Sequence, residues 1–201
     1  LELSPRNRKS RVHEIGCSFG HMTSLLAKEY DRLTASDISP KSVEIAGKRL
    51  EKYGVTNVTF EVADAEELVQ FQDGSFDITY SFSTIRFCPD PKKALRQIHR
   101  TLAPGGTLVV DFPNKYSPWH FILKPLSGIR PHVHDTLYSR KMAVDLLESA
   151  GFVDIEAVTF LFTTKRLPSP LLPLFRLIDR IFEPTPLRNL AGIIMVKAKK
   201  P

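Results

Sequence analysis

Val12-His13-Glu14-Ile15-Gly16-Cys17-Ser18-Phe19-Gly20 reads as a short apolar strand running into a glycine-bearing loop, and the helical pattern of Thr23 to Tyr30 follows at once. Gly16 and Gly20 give that loop access to φ > 0 and carry no Cβ to hold a ligand at a distance. The helix beyond Gly20 directs unsatisfied N–H groups and a positive dipole end into the same space. Nicotinamide, flavin and nucleotide enzymes all use such a loop, so its neighbours have to decide between them. Glu14 places a carboxylate two residues before the first glycine. A carboxylate there repels a pyrophosphate but suits a ligand with an ammonium or sulfonium group. The spacing Glu-x-Gly-x-x-x-Gly also lacks the third glycine of G-x-G-x-x-G, with Ser18 in the middle place. A nicotinamide-dependent oxidoreductase is disfavoured on both counts.

Working outward, strand-like and helix-like segments alternate from Arg11 onward, which predicts a parallel sheet with helices on both faces. A second strand, Arg32 to Ser36, ends in Asp37, and Ser39-Pro40 caps and opens a helix over Lys41 to Tyr53. Asp37 lies about 20 residues past the loop, where a carboxylate can accept both hydroxyls of a ribose. A third strand, Val58 to Ala63, ends at Asp64-Ala65, with Asp64 capping a short predicted helix over Glu66 to Val69. Phe76 to Ser81 forms a fourth strand, Lys92 to Leu102 a helix stopped by Pro104-Gly105-Gly106, and Thr107 to Phe112 a fifth strand. Further on come a helix at Ser139 to Ala150, a long sixth strand at Val153 to Thr163, and a final strand at Leu190 to Ala198.

At 201 residues the chain is long enough for one domain with a sizeable core. Its net charge of +6 comes from scattered residues with clusters at the two ends (Arg6, Arg8, Lys9 and Arg11; Lys197, Lys199 and Lys200), which read as solvated termini. Cys17 and Cys88 form no metal-type spacing, and two unrelated cysteines fit a reduced, cytoplasmic protein. No apolar run approaches the roughly 20 residues of a spanning helix. The chain starts at Leu1 without Met, which fits native residues missing ahead of it.

The residues Glu14 to Gly20 resemble the first motif of the class I S-adenosylmethionine-dependent methyltransferases, type 11 small-molecule group, departing from it at Ser18. The run from Phe76-Asp77 through Asp90-Pro91 to Pro104-Gly105-Gly106 resembles that family's middle section. The resemblance implies a Rossmann-like, seven-stranded, mostly parallel sheet with an antiparallel last strand. It implies S-adenosylmethionine as cofactor, S-adenosylhomocysteine as product, and methyl transfer by in-line displacement to a small, hydrophobic acceptor. It assigns cofactor binding to Glu14, Gly16, Cys17, Ser18, Gly20, Asp37, Ile38, Asp64, Ala65 and Ser81, with Asp37 on the ribose and Asp64 on the adenine amino group. One domain over 1–201 is expected, with a cofactor-binding core at 11–112 and acceptor-site covers at 113–138 and 165–188.

The chain departs from the family after the fourth strand. Ser83-Thr84-Ile85-Arg86-Phe87 stands where the group commonly has Glu-x-x-Glu-His, and no Asn/Asp-Pro-Pro-Tyr/Phe motif follows Ser81, which argues against nucleic acid as substrate. Any general base would then come from the long aromatic connection Pro113 to Tyr138, with His132, His134, His120 and Tyr138 as candidates. His13 reads as a packed histidine and Cys17 as a small residue filling the loop. Leu171, Leu174, Phe175, Ile178 and Phe182 keep helical spacing and suit a cap over the acceptor, with a peripheral membrane contact through Leu171 to Phe182 as a second use. The alternative to an enzyme is a catalytically degenerate cofactor-binding or interaction protein of the same fold.

Overall fold

In the computed structural model, the residues described are 7–118, 136–160 and 185–201, together with Pro173, Leu177, Arg180 and Ile181. The strands are β1 (Val12–Ile15), β2 (Leu33–Asp37), β3 (Val58–Val62), β4 (Phe76–Ser81), β5 (Leu102–Pro113), β6 (Val153–Phe160) and β7 (Ile193–Lys199). The helices are α1 (Thr23–Glu29), α2 (Pro40–Lys52), α3 (Pro91–Thr101) and α4 (Arg140–Ser149). All seven strands join one sheet in the order β3-β2-β1-β4-β5-β7-β6. β1 to β5 pair in parallel, and β7 runs antiparallel to both β5 and β6.

The sheet forms because its central strands are apolar enough to be covered on both faces; all four residues of β1 are buried. Ala94, Leu95 and Ile98 of α3 and Ala143 and Leu147 of α4 pack with Leu108, Val110 and Phe112 of β5 in the largest buried cluster. Leu26, Ala27 and Tyr30 cover Val12, Leu33 and Ile78 in another. Three helix starts carry the caps that their sequences suggest. Ser39, Asp90 and Ser139 accept from the backbone N–H of Ser42, Lys93 and Met142, satisfying groups that the first turn cannot pair.

Strand order reverses between β1 and β4, so the chain leaves their carboxyl ends in opposite directions and opens a crevice there. Register sets what faces that crevice. Ile15 lies level with Ser36 and Ser81, and Asp37 lies level with Val62, so the loop after β1, the end of β2 and the segment after β3 emerge side by side.

Three predicted boundaries differ, and a fourth lies partly outside the described residues. Residues 66–69 form turns, not a helix: Leu68 N–H returns to Asp64 O, but Leu68 has φ 46° and is fully buried, and a left-handed residue cannot extend a helix. β5 starts at Leu102, paired with Phe76, and its register shifts before resuming at Thr107 opposite Ile78, so α3 stops ahead of the Pro-Gly-Gly run. Leu190 closes a 3-10 turn, Pro186–Leu190, capped by Thr185, which delays β7 to Ile193. β6 is described to Phe160, and its predicted continuation to Thr163 lies outside the described residues.

Candidate cofactor site

The glycine loop is tied down by its own backbone. Gly16 and Cys17 N–H both donate to Ser36 O (2.7 and 2.9 Å), and Gly20 N–H donates to Cys17 O. Gly16 (φ 79°) and Gly20 (φ 76°) take the left-handed conformation that glycine adopts without a Cβ penalty. Ser18 is left-handed too, at φ 48°, where a side chain costs about 1 kcal/mol. The Asp37 carboxylate holds this turn, with Oδ2 accepting from Ser18 N–H (2.9 Å) and Oδ1 from Ser39 N–H (3.0 Å).

A cavity of about 220 Å³ opens at this edge of the sheet, and Gly16, Asp37, Ile38, Asp64 and Ala65 all line it. Phe87, Cys88 and Pro89 supply an apolar wall opposite. Asp64 Oδ1 accepts from Glu66 N–H at 2.8 Å, which fixes its turn. The cavity thus combines three acidic residues, Asp37, Asp64 and Glu66, with apolar walls, the surroundings that a base and ribose require. A larger hollow, about 360 Å³, lies at the opposite ends of β1 to β3 between Arg11, Arg32 and Thr59, away from the glycine loop.

Behind the loop, burial governs the charges. Desolvation raises the Glu14 carboxyl to about 7, with the Thr23 hydroxyl opposing that shift and the Asp37 charge adding to it. It pushes the Cys17 thiol up to about 12, which removes Cys17 as a nucleophile near neutral pH. His13 is packed as expected: Phe76 stacks on its ring, Phe71 meets its edge, Nε2 bonds Ser36 Oγ at 2.8 Å, and burial lowers it to about 3. His21 is exposed, and its Nδ1 lies 2.8 Å from Arg49 Nη1. Ser81 is fully buried, its hydroxyl unpartnered among the described residues and away from the cavity lining.

On the acceptor side, Tyr138 is buried against Phe112 and its hydroxyl is raised by desolvation, so the structure places it in the core beside α4. His120, His132 and His134 lie outside the described residues. Two features escaped the sequence reading. Thr84 sits on Gly16 and donates to Ile15 O, and the buried Asp111 accepts from both Ser83 N–H and Ser83 Oγ. The polar Ser83-Thr84 pair after β4 was the available signal, but only for its missing histidine was the stretch remarkable in sequence terms.

Residues 13–110 match the family described as the methyltransferase domain. Over those residues, just under half of its length, the chain is similar to this methyltransferase family. Among curated relatives, the 2-methyl-6-phytyl-1,4-hydroquinone methyltransferase of Synechocystis is 32% identical over 167 residues, covering 79% of this chain and 51% of the relative. The 27-O-demethylrifamycin SV methyltransferase of Amycolatopsis mediterranei is 37% identical over 113 residues, covering 55% and 41%. The chain therefore spans about half the length of these relatives. A Thermotoga maritima S-adenosylmethionine-dependent methyltransferase superposes with a TM-score of 0.71 at 24% identity, over 96% of this chain and 83% of that one, and so shares its fold.

Proposed function

We propose that this chain is a methyltransferase that binds S-adenosylmethionine at the carboxyl ends of β1 to β3 and transfers its methyl group to a small-molecule acceptor. The observation that carries the reading is that Gly16, Asp37 and Asp64, drawn from three different segments, line one cavity. The residues fit the cofactor chemically. Asp37 would accept from the ribose hydroxyls, Asp64 from the adenine amino group, and Ala65 and Phe87 would flank the base. The buried Glu14, with Oε2 unpartnered among the described residues, would face the cationic portion.

The bound cofactor supplies an activated methyl group on a sulfonium. What this chain must add is alignment and exclusion of water. Thr84 against Gly16 and Ser83 held by Asp111 fix the segment after β4 at the mouth of the site. Among the described residues no histidine stands at that mouth, which suits an acceptor that arrives ready to attack. For an acceptor that must lose a proton, His132 and His134 remain the proposed bases. The relatives are named for chemically dissimilar molecules and support only a small-molecule class; that the acceptor is hydrophobic is proposed from the aromatic content of the connection Pro113 to Tyr138.

We further propose one domain over 1–201, with 113–138 and 165–188 covering the acceptor. Leu177 and Ile181, four residues apart, are each 51% exposed. They lie between the stripe residues Leu171, Leu174, Phe175, Ile178 and Phe182, which are themselves outside the described residues, and flotation with anionic liposomes tests the contact of this segment with a membrane surface. Among the described residues no helix is long and apolar enough to cross a membrane. The alternative of binding without turnover rests on the Ser83 to Phe87 sequence alone. Calorimetric titration with S-adenosylmethionine and NADH in parallel, followed by an acceptor panel read by mass spectrometry, tests the whole proposal. Heat with the first ligand alone and a methylated product support it, and heat with NADH alone overturns it.

A further inference from the structure

Behind the glycine loop, the sheet register gathers several groups on one face. Glu14 pairs with Ala35 on β2 and Tyr80 on β4, and residues paired across parallel strands point the same way. Asp37, two residues beyond Ala35, shares that face. α1 adds the buried Thr23 hydroxyl and the loop adds Cys17. The Tyr80 hydroxyl is already engaged, 2.6 Å from that of Tyr30. Glu14 is only 2% exposed, its Oε2 has no hydrogen-bond partner among the described residues, and the charge acting on it is the repelling one of Asp37. A carboxyl so placed is costly to ionise until positive charge reaches it.

We propose that Glu14 is the residue by which this site distinguishes a cationic donor from its neutral thioether product, holding a proton in the free protein and releasing it to solvent when a sulfonium ligand is seated on the loop. The inference rests on the donor-binding reading above. Donor and product share their nucleoside and amino-acid parts and differ by one methyl group and one positive charge. That charge favours the ionised form of Glu14 and the product lacks it. The exchange of a proton for a ligand charge keeps the buried site from accumulating net charge in either state. It also lets the product leave as the proton returns. Of the groups facing Glu14, Asp37 lines the cavity and already accepts two backbone hydrogen bonds, and burial keeps the Cys17 thiol protonated near neutral pH.

The test is calorimetric titration of the full chain with S-adenosylmethionine and with S-adenosylhomocysteine at pH 7 and 5.5, each in two buffers of different ionisation enthalpy. The proton count comes from the buffer difference and needs no turnover. Net proton release with the donor, smaller release with the product, and donor affinity falling about fifteenfold from pH 7 to 5.5 are the expected results. In Glu14→Gln, which nearly preserves shape and removes the ionisable group, the release disappears and the preference for donor over product shrinks about tenfold. Binding of the donor with equal heats in both buffers would overturn the inference while leaving the donor reading intact. Failure of the folded protein to bind either ligand overturns the donor reading itself, and this inference with it.

Discussion

Thr84 lies directly against Gly16: a Cβ built on the glycine would overlap the threonine hydroxyl and stand 2.7 Å from Thr84 Cβ. The glycine is therefore required twice, for its φ of 79° and for the space that Thr84 occupies. Gly16→Ala is expected to destabilise the fold by about 3 kcal/mol, the sum of a left-handed side chain and an overpacked contact. Adding Thr84→Gly should recover the packing part alone. Urea unfolding of the two single variants and the double variant measures the coupling, and strict additivity would disprove the contact.

Asp37→Ala should weaken S-adenosylmethionine binding by about 1.5–3 kcal/mol, through lost charge-assisted hydrogen bonds. Asp37 also holds Ser18 and Ser39 N–H, so the same change should cost about 1 kcal/mol of stability with no ligand present. Titration calorimetry and unfolding of the same variant separate the two effects. Unchanged affinity would remove Asp37 from the site.

Ser18→Gly should leave the loop at the same φ of 48° and relieve its side-chain strain, partly offset by a freer unfolded chain. A gain of about 0.5 kcal/mol in urea unfolding is expected, with donor binding unchanged or tighter. A loss of stability would mean that the Ser18 hydroxyl contributes more than its backbone costs.

How much of this was readable beforehand depended on the range of the interaction. The glycine loop, Asp37 and Asp64 each announce themselves locally, by a strand end followed by a turn residue, and parallel register then brings them together. Thr84 on Gly16 and Asp111 on Ser83 join segments 68 and 28 positions apart in sequence, and neither spacing nor composition marks such a pair. Leu68 illustrates a different failure. Its sequence favours a helix, but the fully buried side chain stands on a backbone at φ 46°, a tertiary arrangement that local preference cannot foresee.

Stability against pH should expose Glu14 and His13 as opposing groups. Glu14 titrates near 7 in the fold against an ordinary 4.5, so between these values the folded chain holds a proton that the unfolded chain has lost, and stability falls as pH rises. His13 titrates near 3 against an ordinary 6.5, so there the unfolded chain holds the extra proton, and stability falls as pH drops. Between about pH 4.5 and 6.5 the two proton counts cancel. Glu14→Gln removes one side of that balance, leaving a slope of about 1.4 kcal/mol per pH unit from His13. Relative to the wild type, the variant should therefore lose about 3 kcal/mol between pH 6.5 and 4.5 in urea unfolding. Curves that run parallel over this interval would show that Glu14 is ionised in the folded, ligand-free chain.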